Sequence, residues 1–209
     1  MSDTLTFYTN PMSRGQIVRW MLEEVGAPYV TEVLDYASTM KAPAYLAINP
    51  MGKVPAIKHG DQVVTECAAI CAYLADAFPA AGLAPAPGAP ARAAYYRWLF
   101  FAAGPVEAAV VNKSCGFEAP DKARMLGYGS FEQTMDTLEG VLSSGDYLAG
   151  GAFSAADLYL GSQLGWGMQF KTIPARPAFE AYVAKLHARP AFQKAKAIDA
   201  ELIAEMQKA

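Results

Sequence analysis

Apolar and polar residues alternate over short stretches near the start of the chain, then recur every three or four residues further along. Leu5 to Thr9 is rich in β-formers and predicts a strand. Ile17, Trp20, Met21 and Val25 fall on one face of a helix that stops at Gly26. Tyr29 to Leu34 is again β-branched and aromatic and completes a β-α-β pattern, followed by a looser segment from Asp35 to Asn49. Val54 to Lys58 and Gln62 to Thr65 flank His59-Gly60-Asp61, which predicts a hairpin. Glu66 to Phe78 places Ile70, Tyr73, Leu74, Ala77 and Phe78 at helical spacing before the stop at Pro79. The order is β-α-β-α-β-β-α.

Residues 84 to 90, Ala-Pro-Ala-Pro-Gly-Ala-Pro, fix three backbone angles and withhold three N–H donors, so neither helix nor sheet continues through them. The reading is an N-terminal domain at 1–82, a proline-rich linker at 83–90 and a second domain at 91–209. Beyond the linker strand signals almost vanish. Arg92 to Val111, Asp121 to Leu142, Ser154 to Met168 and Ala178 to Ala188 read as helices broken by Gly or Pro. Ser154-Ala-Ala-Asp157, with Phe153 before it and Leu158 after it, has the form of a capping box with a hydrophobic staple. The fold class is an α/β domain followed by an all-α helical bundle.

Composition narrows the function. The chain has 209 residues, 53% of them hydrophobic, enough for two modest cores. A net charge of -3 with scattered Lys and Arg supplies no basic field for nucleic acid. Met1-Ser-Asp-Thr does not open a secretory signal and no long apolar run suggests a membrane span, so the protein is expected in the cytoplasm. Cys67, Cys71 and Cys115 form no C-x-x-C pair, and with His59 and His187 the only histidines, no metal site is expected.

Several features occur in one order: a strand ending in Phe7-Tyr8-Thr9-Asn10, then Asn49-Pro50-Met51-Gly52-Lys53-Val54-Pro55, then Thr65-Glu66-Cys67-Ala68-Ala69-Ile70, the proline-rich linker, and Phe153-Ser154-Ala155-Ala156-Asp157. Together they resemble the cytosolic glutathione S-transferases over essentially the whole chain. The resemblance implies a thioredoxin-like N-terminal domain with Val54-Pro55 in cis, and glutathione as co-substrate. It implies that the backbone of Val54, held by Pro55, pairs with the cysteinyl part of glutathione as an added strand. By the same resemblance the γ-glutamyl carboxylate meets the helix start at Glu66 and Cys67, with Glu66 facing the ammonium. Family members often carry Ser at the place of Cys67, and a thiol is the weaker donor. Lys53 is placed to meet the glycine carboxylate, with Lys41 as a lesser candidate.

A thiol with a pKa of about 8.5 is mostly protonated at neutral pH, so the enzyme must favour the thiolate. Two hydroxyls stand near the end of the first strand. Ser13, in Pro11-Met12-Ser13-Arg14-Gly15, lies within one position of the serine used by the theta, delta and zeta classes, and Tyr8 coincides with the tyrosine of the alpha class. Ser13 is favoured and Tyr8 stays open. No cysteine lies between Thr9 and Gly15, unlike the omega and beta patterns, which argues against a disulfide-exchange mechanism. Arg14 is read chiefly as a partner in a surface ion pair, with added positive potential beside the thiolate as the lesser reading. For the second substrate, a small apolar electrophile, the family analogy directs attention to Tyr95, Tyr96, Phe101 and Trp166. The resemblance thus implies a homodimeric glutathione transferase, with peroxide reduction as a related activity. The alternatives are a non-catalytic glutathione-binding scaffold or a specialised glutathione-dependent isomerase or dehalogenase, although the S-S-C-S signature of the zeta class is missing.

Overall fold

The structure, a computed structural model, describes residues 4–117, 119–145 and 147–208. The chain forms two compact units, one holding the stretch up to Ala81, the other running from Gly82 to Ala188.

In the first unit β1 (Leu5–Thr9) buries Leu5, Phe7 and Thr9 on one face. Helix α1 (Gly15–Val25) buries Ile17 through Leu22 and ends where Gly26, at φ 71°, turns left-handed and returns its N–H to Leu22 O. β2 (Tyr29–Val33) runs parallel to β1, with Phe7 opposite Thr31. The looser segment holds a 3-10 turn at Thr39–Lys41 and the single-turn α2 (Pro43–Leu46). β3 (Ala56–His59) lies antiparallel on the other edge of β1, and β4 (Gln62–Thr65) closes the order β2-β1-β3-β4. The Val54-Pro55 bond is cis, and the ladder of β3 starts at Ala56 rather than at Val54, because Pro55 has no N–H to give. Helix α3 (Cys67–Ala77) then packs on α1. Phe7, Met21, Leu22, Ile57, Ile70 and Leu74 are inaccessible to solvent, each contributing about 2 kcal/mol by burial.

The helical unit opens with α4 (Ala91–Phe101), which passes through a π-helical turn at Ala102–Val106 into α5 (Glu107–Ser114). Pro105 sits inside that turn, where its missing N–H interrupts the regular ladder. α6 (Phe131–Leu142) begins ten residues later than the apolar spacing predicts. The segment after the 3-10 turn Pro120–Lys122 carries Gly127 and the left-handed Gly129, and Ser130 then caps the helix by accepting from Gln133 N–H at 3.1 Å. α7 (Ala155–Gln169) and α8 (Pro177–His187) complete the unit. The capping box at Ser154 is formed. Asp157, fully buried, accepts from Leu148 N–H (2.8 Å), Ser154 N–H (2.9 Å), Ser154 Oγ (2.7 Å) and Tyr182 OH (2.8 Å).

The last helix, α9 (Pro190–Met206), follows the helical unit in sequence but packs with the first. It lies on α1, where Phe192 meets Trp20 edge-on at 5.0 Å. Arg189 grips both carboxylate oxygens of Glu24 (2.6 and 2.8 Å), and Asp199 takes a bond from Arg19 Nε at 3.1 Å.

Candidate functional site

The turn leaving β1 is organised by Asn10, which is fully buried. Its Nδ2 donates to Leu34 O at 2.8 Å and its Oδ1 accepts from Met12 N–H at 3.0 Å. Its carbonyl accepts both the N–H of Ser13 (2.9 Å) and the Ser13 hydroxyl (2.6 Å). Ser13 Oγ in turn accepts from the N–H of Gly15, the first residue of α1, at 2.9 Å. The hydroxyl is thereby fixed from two sides at the positive end of a helix. Gly15 itself has no alternative, since a Cβ there would collide with Thr9 Oγ1.

A second turn repeats this chemistry. Asn49, also buried, accepts from Met51 N–H at 3.1 Å through Oδ1 and donates to Lys53 O at 2.8 Å. Tyr45 OH donates to the same carbonyl at 2.6 Å, and burial pushes its pKa up to about 12. Lys41 Nζ donates to Gly52 O at 2.6 Å, which makes it a brace of the loop. The Lys53 side chain is exposed and its ammonium has no partner among the described residues. The N–H and C=O of Val54 likewise enter no hydrogen bond among the described residues, which leaves an extended edge ahead of Pro55.

Glu66 is exposed and adopts φ 66°, an uncommon conformation for a residue with a side chain. No side chain caps α3, so its first N–H groups are open to an anion. Cys67 is half-buried and its thiol points to Arg14 O at 3.6 Å, which brings the start of α3 against the Ser13 loop. Tyr8 is half-buried, with its ring 5.7 Å from that of Tyr45, and packs with Val54 against Met40, Tyr45 and Ala56. Burial, helped by the charge of Glu32, raises the Tyr8 pKa.

The four aromatic residues singled out in the helical unit are not one cluster. Tyr95 is fully buried, stacked beside Arg92 and in tilted contact with Tyr96 at 5.5 Å. Phe101 pairs with Trp98, and Trp166 with the exposed Phe170. Phe101 lines a hollow of about 440 Å³ together with Tyr128, Thr134 and Thr137. An adjoining cavity of about 210 Å³, walled by Ala109, Ala123, Leu126 and Phe131 with Lys113 in its lining, includes none of the four. No helix among the described residues is long and apolar enough to cross a membrane, and no group of three metal-ligating side chains forms among them.

Asn10, Gly15, Tyr45 and Asn49 shape the site without having been singled out from the sequence. A signal was there: Asn10-Pro11-Met12 and Asn49-Pro50-Met51 are the same tripeptide, and in both the Asn side chain accepts from the N–H two residues on.

Comparison with known proteins agrees in both halves of the chain. The family model for the N-terminal domain of glutathione S-transferases matches residues 12–77, and that for the C-terminal domain matches 89–185. Glutathione S-transferase 3 of Zea mays is 29% identical over 204 residues, which span 91% of this chain and 92% of the maize protein. The crystal structure of a glutathione transferase from Methylococcus capsulatus superposes with a TM-score of 0.75 at 30% identity, over 94% of this chain and 98% of that one. A sphingomonad glutathione S-transferase complexed with glutathione gives a TM-score of 0.77 at 32% identity, over 93% and 98%.

Proposed function

As this chain belongs to the glutathione S-transferase family, it is a glutathione transferase, and we propose that Ser13 activates the thiol of glutathione for attack on small apolar electrophiles. The observation that carries the proposal is the bond from the Gly15 N–H into Ser13 Oγ. A hydroxyl whose oxygen already accepts from a helix N-terminus is polarised toward giving its proton away. On binding, that proton turns from the Asn10 carbonyl to the sulfur. Lowering the thiol pKa by about two units corresponds to roughly 2.7 kcal/mol in favour of the thiolate. The sulfur then bonds to the electrophilic carbon, the leaving group departs with its electron pair, and the thiol proton passes to solvent.

Glutathione lies along the first unit. Its cysteinyl backbone pairs with the open N–H and C=O of Val54 ahead of Pro55. The γ-glutamyl carboxylate takes the uncapped N–H groups at Cys67 and beyond, its ammonium meets Glu66, and the glycine carboxylate meets Lys53. Tyr8 is the weaker candidate as activator, because a phenol whose pKa is raised donates less strongly to a thiolate. One observation favours a non-catalytic glutathione binder: in the free protein the Ser13 proton is already committed to Asn10 O at 2.6 Å. The peroxide-reducing activity follows from the same thiolate, two glutathiones giving a disulfide while the peroxide takes up the electrons and protons.

Ultraviolet thiolate absorbance of bound glutathione against pH decides among these readings. We expect ionisation well below about 8.5 in the parent, reversed by Ser13→Ala and retained in Tyr8→Phe. Reversal by Tyr8→Phe alone would move the role to the phenol, and a parent that binds glutathione without lowering its thiol pKa would be a binder only. The protein is also expected as a two-fold dimer, in keeping with the commonest symmetry and the exposed Phe100 of α4, at 69% accessibility. Light scattering in solution checks that mass; a monomer throughout would refute it.

A further inference from the structure

Two hydrogen bonds in series join the C-terminal helix to the Ser13 loop. Lys196 Nζ of α9 donates to Gln16 Oε1 at 3.1 Å, and Gln16 Nε2 donates to the Pro11 carbonyl at 2.6 Å. The ammonium can only donate, so it holds the amide oxygen and leaves the amide nitrogen facing a carbonyl that can only accept. The Gln16 amide therefore has one orientation that satisfies both neighbours. One helical turn further, Arg19 and Asp199 meet at 3.1 Å with side chains 1% and 2% exposed. Gln16 and Arg19 are three apart on α1, and Lys196 and Asp199 are three apart on α9, so each pair shares a helix face. The buried ion pair fixes the two helices against each other one turn from the point where Gln16 reaches the loop. Arg19 is further held by Tyr29 OH (3.1 Å) and Thr31 Oγ1 (2.8 Å).

We propose that Gln16 is a positioning residue for Ser13, and that α9 holds it in place through Lys196. This rests on the reading of Ser13 as thiol activator. The Pro11 carbonyl belongs to the turn in which Asn10 fixes Met12 and Ser13, so its direction sets the tilt of the peptide planes leading to the hydroxyl. Gln16 itself need not touch glutathione for this role. Losing the half-buried bond to Pro11 frees the loop; losing the exposed bond from Lys196 frees the amide and loosens the loop less.

The test compares the full-length parent with Gln16→Leu, Lys196→Met, Lys196→Arg and Ser13→Ala. It reads amide hydrogen exchange at Met12 to Gly15 in the free protein and thiolate absorbance of bound glutathione against pH. Gln16→Leu is expected to exchange about tenfold faster at Ser13 and Gly15 and to raise the bound thiol's pKa by about half a unit or more. Lys196→Met should move both in the same direction by less, and Lys196→Arg should restore parent behaviour. The proposal is overturned if Gln16→Leu leaves the thiol pKa at its parent value, whether or not exchange quickens, while Ser13→Ala raises it. The Ser13 assignment fails separately, if Ser13→Ala itself leaves the bound thiol unchanged.

Discussion

At the scale of single residues, the site depends on groups chosen for what they lack as much as for what they carry. Gly15 shows this most plainly, because its missing Cβ is the space that Thr9 Oγ1 occupies. Gly15→Ala must displace the buried Thr9 side chain or shift the start of α1, with an expected cost of about 1–3 kcal/mol. Urea denaturation of the variant measures it, and an unchanged midpoint would show that Thr9 moves aside freely. Cys67 is the counter-case, a residue whose family counterpart is often Ser and whose thiol here makes a long contact with Arg14 O at 3.6 Å. The backbone N–H at that position remains a donor whichever side chain it carries, so the open N–H groups at the start of α3 do not depend on the choice between Cys and Ser.

At the scale of elements, the capping box of α7 is a buried polar knot in the helical unit. Burial raises the pKa of Asp157 even though four donors oppose that shift. Asp157→Ala strands the N–H groups of Leu148 and Ser154 and the hydroxyl of Tyr182, and should destabilise the protein by about 3 kcal/mol or more. Denaturant midpoints for Asp157→Ala and Asp157→Asn check this, the second retaining one acceptor and losing less. The box was legible from Ser154 and Asp157 alone, whereas Tyr182 was not, since it comes from another helix and no local pattern links residues 25 apart. The strands and α1, α3, α7 and α8 were likewise legible, because their apolar period and their Gly or Pro stops agree. α6 was read too long: Ala123, Met125 and Leu126 mimic helical spacing, but the left-handed Gly129 forbids a continuous helix. The cis bond at Val54-Pro55 could be read by resemblance. The inner supports, Asn10 and Asn49, required geometry, because a buried Asn declares its partners only once the turn is formed.

At the scale of the whole molecule, acid should stabilise through two carboxyls. Burial holds the pKa of Asp199 up despite Arg19, as it does that of Asp157. Each group binds its proton more tightly folded than unfolded, so its contribution is full below the ordinary carboxyl range, near about 4, and is lost as pH rises through the folded value. Asp35 and Glu132, whose carboxyls are lowered by hydrogen bonds, act in the opposite sense but sit in solvent. Comparing urea midpoints of the parent and Asp199→Asn from neutral pH downward isolates one buried group. The parent should gain on the variant as pH falls; losing ground instead would reverse the assigned sign. The placement of α9 also bears on how the protein is made. The helical unit is one continuous stretch of chain, while the first unit needs Phe192, Lys196 and Asp199 to cover α1. On the ribosome, where synthesis proceeds at about 5–20 residues per second, the first unit is therefore begun before the helical unit and completed after it. Until the codons of α9 are read, the nascent chain carries α1 with Trp20 and Arg19 uncovered, and that interval is when chaperones have most to hold.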